Sequence, residues 1–225
     1  VYDGMFWSRQ GDDEIDPYSD LELVIKSRST AATTTKDGND DVETTTKIHD
    51  LYYAHRCMLG RKSGFFDRLL RGGFSESDNS HAGSSGDTRR QSIDIFLHPL
   101  AAEDFVYVLE YIYDGKTEDL DSVSTLSYIA IANISDYLGI LPLYNTVNDL
   151  IVKRTTEYDN DEDAFICKSF KFAKKVGMEK IATQIIKGYF ETEWWVVDHM
   201  FPSASLMKLC LDFADNNPGE LRQPF

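Results

Sequence analysis

The sequence predicts an α+β protein: a small β-sheet flanked by a cluster of α-helices, followed by an all-α extension. Three observations lead there. The alternating, β-rich stretches all lie before Pro99. Every apolar pattern after Pro99 has helical spacing. With 42% hydrophobic residues in 225, the chain can bury a substantial core.

Residues 1–19 are polar and acidic apart from Tyr2, Met5, Phe6 and Trp7, and read as a flexible arm that docks by its aromatics. Asp20–Ser27, DLELVIKS, alternates and reads as a strand. The low-complexity run TAATTTKDGNDDVETTT follows, with Asp-Gly at its centre, and reads as a disordered tip or a hairpin extension. KIHDLYYAH then supplies a second strand paired with the first. CMLGRKSGFFDRLL reads as one helix with Met58, Leu59, Phe65, Phe66, Leu69 and Leu70 on its apolar face. After a second polar insert, QSIDIFLH places Ile93, Ile95 and Leu97 on one strand face.

From Pro99 to Tyr113 a helix is predicted, because Phe105, Val108, Leu109 and Ile112 fall at i, i+3, i+4 and i+7. Pro99 suits its first turn. The next helix takes Ser122 as N-cap and Gly139 as its stop. Leu143, Val147, Leu150 and Ile151 stripe a third helix. Beyond the charged gap TTEYDNDED, one helix carries Met178, Ile181, Ala182, Ile185, Tyr189 and Phe190. Another carries Leu206, Leu209, Cys210 and Phe213.

Charge narrows the function classes. Acidic residues outnumber basic ones 38 to 23, a net charge of −15. That field repels phosphate backbones and anionic lipid, so neither nucleic acid nor membrane is an expected partner. No apolar run approaches a membrane span in length, and none reads as a signal peptide. Cys57, Cys167 and Cys210 sit far apart in apolar helical patterns, which reads as reduced, buried thiols of a cytoplasmic or nuclear protein. A chain opening on Val reads as part of a longer one.

Enzymatic motifs are absent. GRKSG lacks the Gly-x4-Gly-Lys-Ser/Thr spacing that cradles phosphate, and GSSG lacks the Gly-x-Ser-x-Gly elbow of a serine nucleophile. His49, His55 and Cys57 share strand parity, but no second ligand cluster has zinc spacing. His55 reads instead as a core histidine bonded where strand meets helix. No catalytic residue, metal or cofactor is expected.

Five segments, in order, carry a family resemblance. SDLELVI resembles the opening strand of the BTB/POZ domain, and YYAHRCML resembles its F-x-A-H-[KR]-x-x-L. SGFFDRLLRGGFSES, FVYVLEYIYDG and ANISDYLGI are similar to its later signatures. YDG stands where YTG or YSG is usual, and inserts 28–46 and 78–90 are longer than most members carry. The resemblance covers 20–154. Residues 155–215 resemble, more loosely, the helical BACK region that often follows, and 216–225 read as a tail.

The resemblance implies a protein-interaction module that forms homodimers, with Asp20 and Arg56 at a charged pocket in the dimer interface. It also implies an adaptor of a cullin-3-class ubiquitin ligase, with the cullin scaffold and an unknown substrate protein as partners. The alternative is a homodimerising scaffold or transcriptional-regulator module. Tyr107 and Tyr111 point away from the apolar stripe of their helix, and the resemblance makes them, with Tyr113 and Glu118, the candidate cullin-binding surface.

Overall fold

A computed structural model of the protein describes residues 6–12, 15–34, 40–71, 90–156, 163–191 and 204–216. Four strands form one mixed sheet in the order β1-β3-β2-β4. They are β1 (Ser8–Arg9), β2 (Leu21–Thr34), β3 (Asp40–Ala54) and β4 (Gln91–Phe96). β2 and β3 are antiparallel from Leu21↔Ala54 to Thr34↔Asp40, whereas β4 runs parallel to β2 over Leu21–Lys26. The helices are α1 (Arg56–Lys62), α2 (Gly64–Arg71), α3 (Phe105–Asp114), α4 (Thr125–Tyr137), α5 (Leu141–Thr156), α6 (Asp163–Lys175), α7 (Glu179–Glu191) and α8 (Ala204–Asn216).

The chain divides into two compact units, one of residues 1–119 with 134–143, the other of 120–133 with 144–225. In the first, alternation along the strands puts Leu21, Leu23, Ile25, Ile93 and Ile95 on one buried face. Leu59, Phe66, Phe105, Val108, Leu109 and Ile112 complete this core, and the rings of Tyr52 and Phe105 lie 5.6 Å apart. In the second, Val147, Ile151, Ile166, Ala173, Ile181, Ile185 and Phe213 are buried. Asn133 Nδ2 donates to the Val176 carbonyl at 3.1 Å.

Several elements differ from expectation. The segment read as a flexible arm is built into the fold over its described residues. β1 pairs Ser8 and Arg9 with Tyr53 and Tyr52, Trp7 packs edge-on against Tyr52, and Ser8, Asp16 and Ser19 are buried. The 28–46 insert is the outer half of a long hairpin, with 35–39 outside the described residues, as are 78–89 of the second insert. A bulge at His49 shifts the register between Ile25↔Asp50 and Lys26↔Ile48, which breaks the parity expected of His49 and His55. His49 Nε2 instead meets Ser27 Oγ at 2.7 Å. Cys57 is exposed rather than buried.

The predicted single helix at 57–70 is two, broken at Ser63, whose backbone is extended. Its hydroxyl donates to the Leu138 carbonyl at 2.6 Å and accepts the Phe66 N–H at 3.2 Å, capping α2. The segment after Pro99 makes a turn and a short 3-10 helix before α3 begins at Phe105. The N-cap of α4 is Ser124, whose Oγ accepts the Ser127 N–H at 3.1 Å. Ser122 closes a 3-10 helix just before. Gly139 stops α4 as expected, with φ of +66° and its backbone against that of Gly64 at the 3.6 Å a Cβ there would reach. Tyr189, Phe190 and Leu206 lie outside the described side chains.

Candidate interaction surface

The sequence His55-Arg56 sits where β3 passes into α1, and three elements converge on it. His55 is the N-cap residue of α1, but its side chain makes no capping bond. The first turn is capped from the start of β2: Asp20 Oδ1 accepts the Arg56 N–H at 2.9 Å. The second carboxylate oxygen of Asp20 lies 3.4 Å from Arg56 Nε. The two predicted pocket residues are therefore brought together. Both are about half exposed, so the pair stands at the surface of a single chain rather than inside it.

The imidazole of His55 turns inward and is 3% exposed. Tyr113, from the last turn of α3, accepts the His55 N–H at 2.8 Å, and its hydroxyl lies 2.9 Å from Nδ1. On the other side Nε2 faces Asp16 Oδ2 at 3.3 Å, an electrostatic contact rather than an aligned hydrogen bond. The arrangement that satisfies the most donors has Tyr113 donating to Nδ1, leaving the proton on Nε2 to face the carboxylate.

Asp16 is held in its own turn. Its Oδ1 accepts the Tyr18 N–H at 2.9 Å, and its carbonyl accepts Ser19 Oγ at 2.8 Å. This is the Asx turn expected of an Asp-Pro step. Burial pushes the Tyr113 hydroxyl above its ordinary ionisation range. The same cause, with Asp50 beside it, raises Tyr52.

Of the predicted partner surface, α3 carries Tyr107 and Tyr111 on the side away from its buried stripe, and both are partly exposed. Lys62 Nζ lies 5.6 Å from the centre of the Tyr111 ring. Tyr113 does not join them: its hydroxyl is committed to His55. Glu118 lies in the 3-10 helix Glu118–Ser122, and its side chain is outside the described residues.

A second apolar group went unread in the sequence. Tyr137, at the end of α4, is 46% exposed, and Leu141, at the start of α5, is 63% exposed. The Phe65 ring stacks on Tyr137 at 5.3 Å. The bonds of Ser63 and Phe65 to the Leu138 carbonyl fix this elbow. The signal was faint: DYLGI reads as the end of a core helix, and only the chain's turn at Gly139 sets these two side chains outside.

Among the described residues no group of His, Cys, Asp and Glu is placed to hold a metal ion, and no helix is long and apolar enough to cross a membrane. No curated protein matches the chain. A family model for the BTB/POZ domain matches residues 36–154, more than half of its length. With its small mixed sheet, the helices around it and the helical extension beyond, the chain belongs to the BTB/POZ domain family and is a protein–protein interaction module.

Proposed function

We propose that this protein is the adaptor of a cullin-3-class ubiquitin ligase, working as a homodimer in the cytoplasm or nucleus. The observation that carries the reading is the outward pair Tyr107 and Tyr111 on α3, a helix whose other side is fully buried. The resemblance puts the end of this helix in the cullin contact. Tyr137 and Leu141 add apolar area that a monomer gains nothing by exposing. The helices of 155–215 would act as a BACK-like extension of that grip, and the half-exposed Asp20–Arg56 pair would lie in the dimer interface. A domain outside this chain would hold the substrate protein.

The test is binding to a purified cullin-3 N-terminal domain. Aromatic anchors at interfaces commonly carry about 2 kcal/mol each when truncated. Replacing Tyr107 and Tyr111 together by Ala should weaken binding at least about 30-fold, with the thermal midpoint little changed. No binding by the unmodified chain, or unchanged binding by the variant, overturns the reading and leaves a self-associating scaffold.

A further inference from the structure

We infer that the outer edge of β3 pairs with the same edge of a second copy, joining two sheets into one through residues 42–48. The first observation is an open edge. β3 is 15 residues long, and β2 lies along one side of all of it. On the other side β1 reaches it only at Tyr52 and Tyr53, with Gln10 bonded to the Leu51 carbonyl. From Asp40 to Asp50 no third strand is present among the described residues. β4 likewise leaves β2 after Lys26, so the hairpin continues as a two-stranded ribbon. Such a ribbon is marginal in water by itself, and a long strand edge is a template for another strand.

The second observation is the sequence of that edge, Val42-Glu43-Thr44-Thr45-Thr46-Lys47-Ile48. Alternate residues of a strand direct their N–H and C=O groups to the same side, so a two-fold antiparallel pairing of one strand with its own copy must centre on a residue. Centred on Thr45, it sets Val42 against Ile48, Glu43 against Lys47, and Thr44 against Thr46, each pair occurring twice. Apolar meets apolar and acid meets base, the combinations that stabilise cross-strand pairs. Moving the centre to Thr44 sets Asp40 against Ile48, and moving it to Glu43 sets that carboxylate against itself. The bulge at His49 ends the regular register just beyond Ile48.

The third observation is that Ile48 is 60% exposed in the single chain, with Thr45, Thr46 and Lys47 exposed beside it. A second copy would cover it with Val42. The occupant is therefore another copy of this chain. The contact is separate from the pocket of Asp20 and Arg56.

A charge-exchange series on the full chain tests this by sedimentation. Within the chain the backbone register sets Glu43 opposite Ala31 and Lys47 opposite Ser27, both uncharged residues. Glu43→Lys and Lys47→Glu each set like charges opposite one another twice and should weaken self-association about tenfold. The double exchange Glu43→Lys with Lys47→Glu should restore it. In a Cys57→Ser background, Thr45→Cys should form a covalent dimer on mild oxidation, and Ala31→Cys should not. Single variants that associate like the unmodified chain, a double exchange that fails to restore association, or no cross-link through Thr45→Cys would overturn the inference. Loss of cullin binding with this series intact would overturn only the adaptor reading.

Discussion

His55 is a buried imidazole between a tyrosine hydroxyl and a carboxylate, an arrangement that in a cleft would invite a catalytic reading. Here each member is used to join one segment to another: Asp16 ties in the N-terminal segment, His55 the β3–α1 junction and Tyr113 the end of α3. Removing one partner of such a set leaves others buried and unsatisfied, which costs more than the bond itself contributes. Tyr113→Phe strands the His55 N–H and Nδ1 and should destabilise the fold by about 1–3 kcal/mol in denaturant titration. An unchanged midpoint would mean that water replaces the hydroxyl. Stability should also fall in alkali. Unfolded, Tyr113 ionises near the ordinary 10.0, whereas folded it holds its proton longer because it is buried. Above that pH the unfolded chain binds fewer protons, so unfolding is favoured as pH rises. The loss should be smaller in Tyr113→Phe. The surface pair behaves differently. Because Asp20 and Arg56 are about half exposed, Arg56→Glu should cost the fold of a single chain less than about 1 kcal/mol, and its larger effect should be on dimerisation.

At the scale of elements, two small features decide geometry that periodicity does not reveal. Ser63 interrupts a helical pattern that is otherwise continuous, because its hydroxyl serves the Leu138 carbonyl and the Phe66 N–H at once. Ser63→Ala removes a donor from a buried carbonyl and a cap from α2, and should lower stability by about 1–2 kcal/mol. If the loss is confined to that elbow, hydrogen exchange should quicken in α2 and near Leu138 first. The stripe of α3 was legible in full: Phe105, Val108, Leu109 and Ile112 are all buried, because a 3.6-residue period leaves one face for the core. The start of α3 was not, since Pro99 fits a turn as readily as a first helical position.

For the molecule as a whole, strands β2, β3 and β4, the parity of β2 and β4 and the stripe of α3 were written in local patterns of apolar residues and turn signals, and the spacing of five motifs carried the BTB/POZ resemblance. The resemblance also named Asp20 and Arg56 together, and the structure sets them in contact. What only the tertiary structure decided depends on partners distant in sequence. Residues 1–19 read as a loose arm because few of them are apolar, yet strand pairing with β3 and the burial of Asp16 hold the described part of that segment in place. Tyr107, Tyr111 and Tyr113 read as one group of aromatics. Only the approach of His55 across 58 residues of sequence draws the third hydroxyl inward. Tyr137 and Leu141 went unread in the sequence, and in the structure they flank the turn at Gly139 and are exposed. A side chain's periodicity is a property of its own segment. Its burial depends on which other segment arrives to cover it, and that is settled when the whole chain packs.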